Sequence, residues 1–160
     1  MALHVVITGA SSGISAACAK AFAARGDRLS LGARRSDRLS GIAEGAFPHA
    51  LDVTSPASVE RFVAAALAAN GPIDVLVNNA GLARGVEKLA EGTGEAWREM
   101  LETNVLGLLE VTRRVLPHML ERKKGSLTRV ASISGMVGMK TAHTYCAAKG
   151  GVINLTRALA

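Results

Sequence analysis

Tyr145 and Lys149 stand four positions apart near the end of the sequence, and Ser132 precedes the tyrosine by thirteen positions. Residues four apart lie on one face of a helix, so the lysine ammonium is expected beside the tyrosine ring. A neighbouring ammonium favours the phenolate form, which makes the phenol a suitable proton donor and acceptor at a carbonyl or an alcohol. Because Tyr145 is the only tyrosine of the chain, this spacing is informative.

A glycine turn near the start of the chain indicates a second part of the chemistry. Residues 8–14 read Thr-Gly-Ala-Ser-Ser-Gly-Ile and follow a short apolar run. Such a turn presents backbone N–H groups to an anion, as the binding of a dinucleotide pyrophosphate requires. Alone it is weak evidence, since a glycine turn between a strand and a helix needs no ligand. Together with Tyr145 and Lys149, it suggests hydride transfer.

The elements that position these residues alternate along the chain. Strands are predicted at Leu3–Thr8, Leu29–Ala33, Phe47–Leu51, Ile73–Val77 and Leu127–Ile133. Helices are predicted at Ile14–Ala24, Ser36–Ala43, from Pro56, at Gly94–Arg122 with a kink at Pro117, and from His143 onward. Alternating strands and helices imply right-handed crossovers, so the pattern predicts an α/β fold with a doubly wound parallel sheet of five strands. No linker or repeat divides the chain, and residues 1–160 are expected to form a single domain.

The composition is typical of a folded globular protein, with 49% hydrophobic and 20% charged residues. The net charge of +6 comes from 19 basic and 13 acidic residues. The basic residues fall in small groups without interleaved aromatic residues, and nucleic acid is therefore not expected as a partner. No apolar run approaches the length of a membrane span, so no membrane association is expected.

Cysteine and histidine positions exclude two further classes of site. Cys18 and Cys146 lie far apart in helical stretches, which is typical of the reducing cytoplasm and not of a disulfide framework. The four histidines have no metal-ligand spacing, and no metal is expected.

Loops that follow the strands are the expected ligand site, because ligands of doubly wound sheets bind at the carboxyl ends of the strands. The second strand ends in Arg34 and Arg35 with no acidic residue. An acidic residue there would accept from the ribose 2′-hydroxyl of NAD, whereas arginine suits a 2′-phosphate. The sequence therefore favours NADP as cofactor, with a solvated basic turn as the alternative.

Five segments carry a resemblance to a known family. They are Thr8–Gly13, Asn78–Gly81, Asn104, Ser132 and Tyr145–Lys149. In their order and spacing, over essentially the whole chain, they resemble the short-chain dehydrogenase/reductases. The resemblance implies a Rossmann-type fold, a nicotinamide dinucleotide, and interconversion of a carbonyl and an alcohol on a small-molecule substrate.

The resemblance also implies a role for each matching residue. The pyrophosphate would be cradled by Gly9, Ser11, Ser12, Gly13 and Ile14. The adenine would meet Asp52 and Val53. Asn78 would line the adenosine side, and Asn78 and Asn79 are also expected as a hydrogen-bonded strand end, a role compatible with the first. Tyr145 would transfer the proton and, with Lys149, hold the nicotinamide ribose. Ser132 would donate a hydrogen bond to the substrate oxygen, and Asn104 would order a water that links Lys149 to solvent.

Ser15 departs from the family pattern, which has a third glycine at this position of the turn. That glycine serves close packing of helix on strand, so serine predicts weakened cofactor binding and Ser15→Gly predicts tighter binding. Within the family, the segment Ile73–Gly135 most resembles the NADP-dependent 3-hydroxy acid and serine 3-dehydrogenase branch, which implies small 3-hydroxy acids as substrates.

The chain is short relative to the family, whose members continue with further strands and a substrate loop. The fifth strand is therefore expected at a sheet edge, and turnover is expected to be far below that of a full-length relative. A catalytically incompetent dinucleotide-binding remnant, or a truncated form of such an enzyme, is the alternative function. The apolar faces of the last long helices predict a homo-oligomer through residues 94–122 and 143–160.

Overall fold

Five parallel strands form the centre of the fold, in the order β3-β2-β1-β4-β5. They are β1 His4–Thr8, β2 Arg28–Ala33, β3 Phe47–Ala50, β4 Val75–Asn78 and β5 Ser126–Arg129. The computed structural model describes all residues 1–160. Because the strand order reverses between β1 and β4, a crevice opens at their carboxyl ends. The doubly wound parallel sheet of five strands is confirmed.

Five α-helices accompany the strands, and the last of them follows β5. They are α1 Gly13–Ala24, α2 Pro56–Asn70, α3 Gly94–Leu101, α4 Gly107–Glu121 and α5 His143–Ala158. Short 3₁₀ turns lie at Ser36–Arg38, Leu89–Glu91 and Ile133–Gly135. None of the helices combines the length and the apolar character needed to cross a bilayer.

The core has two apolar layers, one on each face of the sheet. Val6 and Leu76 belong to the layer under α2 and α4, which contains Phe62. Val5 and Ile7 belong to the opposite layer, against α1. A central parallel strand with both faces buried must be apolar throughout, which explains why β1 is a continuous apolar run instead of an alternating one.

The predicted helix Gly94–Arg122 is wrong in its middle. A π-helical turn at Glu102–Leu106 separates α3 from α4, whereas the chain remains α-helical through Pro117. The wider π turn directs Asn104 inward, where it is buried. The self-association predicted for this segment stays a prediction.

Two other boundaries differ from the sequence prediction. The helix predicted at Ser36–Ala43 is only the 3₁₀ turn Ser36–Arg38. The strand predicted to reach Ile133 ends at Arg129, because Ser132 already begins the next turn by accepting a hydrogen bond from Ser134 N. As expected, β5 lies at one edge of the five-stranded sheet.

His4 is buried at the end of the sheet that lies opposite the crevice. Its Nδ1 lies 2.8 Å from the carbonyl oxygen of Gly71, and its Nε2 lies 2.9 Å from Ser30 Oγ. A carbonyl can only accept, so Nδ1 carries the proton and Nε2 accepts from the serine hydroxyl. Burial is the main cause that lowers the pKa of His4, and the neutral ring is favoured in the folded state.

This burial predicts a loss of stability in mild acid. In the unfolded chain His4 takes up a proton near its ordinary pKa of 6.5, whereas the folded chain takes it up only at lower pH. The contribution of neutral His4 to the free energy of unfolding should therefore be fully present above pH 6.5. It should fall as the pH drops from 6.5 toward the lower pKa of the folded state. Urea unfolding at several pH values between about 7.5 and 5.5 measures this fall, which His4→Gln should reduce. An identical fall in the wild-type and the His4→Gln chains would show that His4 is not its cause.

Candidate active site

A cleft of about 950 Å³ lies over the carboxyl ends of the strands. Its walls come from the loops that follow all five strands, together with α5. Twelve of the predicted site residues line it: Gly9, Ser11, Ser12, Gly13, Ile14, Arg34, Arg35, Asp52, Val53, Ser132, Tyr145 and Lys149. Residues from distant parts of the sequence are thus brought to one cleft, whose volume lies in the range of small-molecule sites.

The glycine turn adopts a conformation that requires glycine. Gly9 has φ +68° and Gly13 has φ +64°, in the left-handed region. A Cβ on Gly9 would lie 2.8 Å from Ala80 Cα, so the turn presses directly on the loop after β4. At Gly13 the corresponding space is open. Helix α1 begins there, and Ser12 makes no side-chain cap, which leaves the first N–H groups of α1 available to an anion.

Arg35 places a positive charge over this turn. Its Nη2 donates to Ser11 Oγ at 3.2 Å and lies 3.5 Å from Ser12 Oγ. Arg34 is also exposed, and neither arginine pairs with a carboxylate. A guanidinium beside hydroxyl groups is a suitable donor set for a phosphate oxygen.

Asp52 is held in place at the start of the loop before α2. Its Oδ1 accepts from the backbone N of Thr54 at 3.0 Å and from Thr54 Oγ1 at 2.7 Å. Ser58 Oγ accepts from the backbone N of Asp52 at 3.0 Å. These bonds fix the loop that carries Asp52 and Val53 at the edge of the cleft.

Lys149 and Tyr145 share one face of α5, as their spacing predicts. Lys149 is buried, and its Nζ donates to the carbonyl oxygen of Val130 at 2.7 Å. The same Nζ lies 5.7 Å from the centroid of the Tyr145 ring. Burial lowers the pKa of Lys149 below its usual value. The ammonium is thus fixed between the end of β5 and the tyrosine.

Ser132 is oriented by its own turn. Its Oγ accepts from Ser134 N at 3.2 Å and donates to Ser134 Oγ at 3.2 Å. Gly135 lets this turn lie against α5, since a Cβ there would stand 2.5 Å from the backbone carbon of Lys149. The position of Ser132 relative to Lys149 therefore depends on a backbone-to-backbone contact.

Asn104 does not line the cleft, and both polar atoms of its side chain are used elsewhere. Oδ1 accepts from Leu82 N and Nδ2 donates to Leu82 O, each at 2.8 Å. Gly81 allows this approach, because a Cβ there would lie 2.8 Å from Asn104 Oδ1. The side chain therefore braces the loop after β4. That Asn104 orders a water for Lys149 stays a prediction.

Asn78 does not line the cleft in the structure, which shows the hydrogen-bonded strand end that the sequence also suggests. Asn78 is 3% exposed, and its Nδ2 donates to Thr112 Oγ1 of α4 at 3.0 Å. The following residue, Asn79, lies in the cleft wall instead. Sequence reasoning identified this loop but chose the neighbouring side chain. It also missed Leu82 and Thr103, which line the cleft without any sequence signal.

The steric argument about Ser15 is wrong. Ser15 is fully buried, and its Oγ donates to Gly9 O at 2.6 Å. Serine therefore fits between α1 and the turn and adds a hydrogen bond that glycine lacks. The packing gives no steric reason for weakened cofactor binding, and the binding expectation itself stays a prediction.

Comparison with known proteins gives the family. The family model described as short chain dehydrogenase matches residues 3–160. This chain belongs to the short-chain dehydrogenase family. An NADP-dependent 3-hydroxy acid dehydrogenase of Salmonella typhi is 36% identical over 149 residues, which are 91% of this chain and 60% of that protein. The chain thus spans about 60% of the length of this curated relative.

Solved structures of this short-chain dehydrogenase family superpose closely on the chain. A crystal structure of a variant actinorhodin polyketide ketoreductase with NADPH gives a TM-score of 0.94 at 37% identity, covering 99% of this chain and 64% of that one. The closed form of serine dehydrogenase complexed with NADP⁺ gives a TM-score of 0.93 at 33% identity, covering 98% and 65%. The Rossmann-type fold expected from the sequence is confirmed.

The contact at Gly135 predicts a large effect of a small substitution. Gly135→Ala places a methyl group against the backbone of α5, so it should reduce the free energy of unfolding by about 1–3 kcal/mol. Gly138→Ala is the matched control, because a Cβ there meets nothing within 4 Å. Urea unfolding measures both. Equal stabilities of the two variants would contradict the close contact.

Proposed function

We propose that this chain is the dinucleotide-binding and proton-transfer part of an NADP(H)-dependent oxidoreductase that interconverts a carbonyl and an alcohol. One observation carries the proposal: a single cleft joins the glycine turn and Arg35 to Ser132, Tyr145 and Lys149. A dinucleotide extends along the switch point of such a sheet, and the two groups stand on opposite sides of it.

The cleft has donors for each part of NADP. The free N–H groups at the start of α1 suit the pyrophosphate, and Asp52 with Val53 would face the adenine. Arg35, with Ser11 and Arg34, would hold the 2′-phosphate. The bound nicotinamide supplies or accepts the hydride. Two relatives, one an NADP-dependent dehydrogenase and one a dehydrogenase complexed with NADP⁺, support this choice.

The chain's own residues would handle the proton. In the reduction direction, the Ser132 hydroxyl turns from Ser134 Oγ to the substrate carbonyl oxygen and stabilises its developing negative charge. Ser134 N continues to donate to Ser132 Oγ, which keeps that oxygen in place. Tyr145 then gives its proton to the alkoxide, and Lys149 stabilises the phenolate that remains.

For the substrate we propose a small 3-hydroxy acid and the corresponding 3-oxo acid. The support is the 36% identity to a 3-hydroxy acid dehydrogenase. A dinucleotide-binding remnant without turnover is the alternative. NADPH binding without NADPH oxidation would support the alternative.

The position of Arg35 predicts a cofactor preference. NADPH should bind at least about tenfold more tightly than NADH, or about 1.4 kcal/mol, because only NADPH carries the 2′-phosphate. Arg35→Gln should remove most of this difference. Arg38→Gln is the matched control, since Arg38 is exposed but does not line the cleft. Titration by nucleotide fluorescence gives the dissociation constants, and equal affinities of the wild-type chain for both nucleotides would refute the role of Arg35.

The role of Tyr145 predicts a separation of binding from turnover. Tyr145→Phe should lower the rate of NADPH oxidation by about 100-fold or more, because the proton donor is lost. Its NADPH dissociation constant should stay within about threefold of the wild-type value. The neighbouring substitution Cys146→Ala serves as the control, since Cys146 does not line the cleft. A Tyr145→Phe variant with the wild-type rate would exclude Tyr145 as the acid.

A further inference from the structure

Ser15 has more partners than an ordinary helix serine. Its Oγ donates to Gly9 O at 2.6 Å, lies 3.1 Å from Ser12 O, and accepts from Asn79 Nδ2 at 3.0 Å. A hydroxyl has one proton and two acceptor sites, so these contacts use the proton and one of the acceptor sites. The side chain is completely buried, where such bonds have no competition from water.

The carbonyl of Gly9 is the critical acceptor in this arrangement. A turn that contains two glycines with positive φ has little conformational restraint of its own. Ser15 directs the carbonyl of Gly9 toward α1 and away from the cleft. If this peptide rotated, its oxygen would face the cleft and repel a phosphate. Ser15 therefore helps the turn to present N–H groups.

Asn79 extends the connection to the loop after β4. Its side chain donates to Ser15, while the backbone N atoms of Asn79 and Ala80 donate to Thr8 Oγ1 at 3.1 Å and 3.0 Å. Two residues further along, Leu82 is held by Asn104 of the π turn. Two groups of hydrogen bonds, joined by the backbone of residues 80–82, therefore connect the glycine turn to the helix segment between α3 and α4.

We propose that Ser15 is a positioning residue for the dinucleotide: it fixes the glycine turn in its anion-binding conformation and ties it to Asn79. This inference rests on the proposed function, because it concerns binding of the same cofactor. It opposes the expectation from the family pattern, under which glycine at this position binds better. The substitution Ser15→Gly distinguishes the two views, because the family pattern predicts tighter NADPH binding and the present proposal predicts weaker NADPH binding.

Hydrogen exchange on the ligand-free chain tests the structural half without any cofactor. Ser15→Ala should raise the exchange rates of the hydrogen-bonded amides of Ala10, Asn79 and Ala80 by at least about tenfold, and leave those of α2 unchanged. Ser40→Ala is the matched control, because Ser40 Oγ donates to the carbonyl three residues earlier but is exposed and remote from the turn. Unchanged exchange of the Ala10 and Asn79 amides would overturn the proposal.

Titration with NADPH tests the functional half, at a temperature at which every variant is folded. Ser15→Ala and Ser15→Gly should each raise the dissociation constant at least about tenfold. Asn79→Ala should raise the dissociation constant by less than about threefold when it is added to Ser15→Ala. The same substitution should raise it by more in the wild-type chain, because the two side chains act through one hydrogen bond. Tighter binding by Ser15→Gly, or strictly additive effects, would overturn the proposal. A wild-type chain that fails to bind NADPH refutes the proposed function, while the exchange experiment still decides the role of Ser15.

Discussion

The close approach of two loops at the carboxyl ends of β1 and β4 determines the rest of the site. Gly9 and Ala80 lie so near each other that any side chain at Gly9 would meet the backbone of Ala80 at 2.8 Å. Thr8 stands between the strands and accepts two backbone N–H groups of the neighbouring loop. This contact positions the glycine turn on one side and the loop that Asn104 braces on the other. A change that separated the loops would move both ends of the cleft.

The polar groups beneath the cleft are not equally well satisfied. Ser15 Oγ, Asn79 Nδ2 and both polar side-chain atoms of Asn104 have hydrogen-bond partners in the protein. By contrast, Asn78 Oδ1 and two guanidinium nitrogens of Arg129 are buried without a protein partner, and the two residues pair in register across β4 and β5. Burial lowers the pKa of Arg129. A buried polar group without a partner costs about 1–3 kcal/mol, so this end of the sheet contributes less to stability than its apolar residues suggest.

Sequence reasoning predicted the sheet and most of the cleft because both follow from local patterns. Apolar runs and glycine turns are local, and parallel strands bring their ends together wherever they stand in the chain. Whether Asn78 or Asn79 faces the cleft is not decided by the local sequence. Asn78 turns away from the cleft because its side chain bonds to Thr112 on α4. The partners of Ser15 are likewise assembled by the fold. The irregular turn before α4 is not local either, because the burial of polar Asn104 between Met100 and Leu108 is visible only in the fold.

That irregular turn makes the chain unusually sensitive to length at one place. A π-helical turn holds one residue more than the α-helical turn it replaces. Removing a single residue between Glu102 and Leu106 would let α3 and α4 merge into one regular helix. The core contacts of Val111 and Val115 would survive, but Asn104 would lose its reach to Leu82. A one-residue deletion there could thus separate the integrity of the fold from the geometry of the cleft, which no substitution of a core residue does.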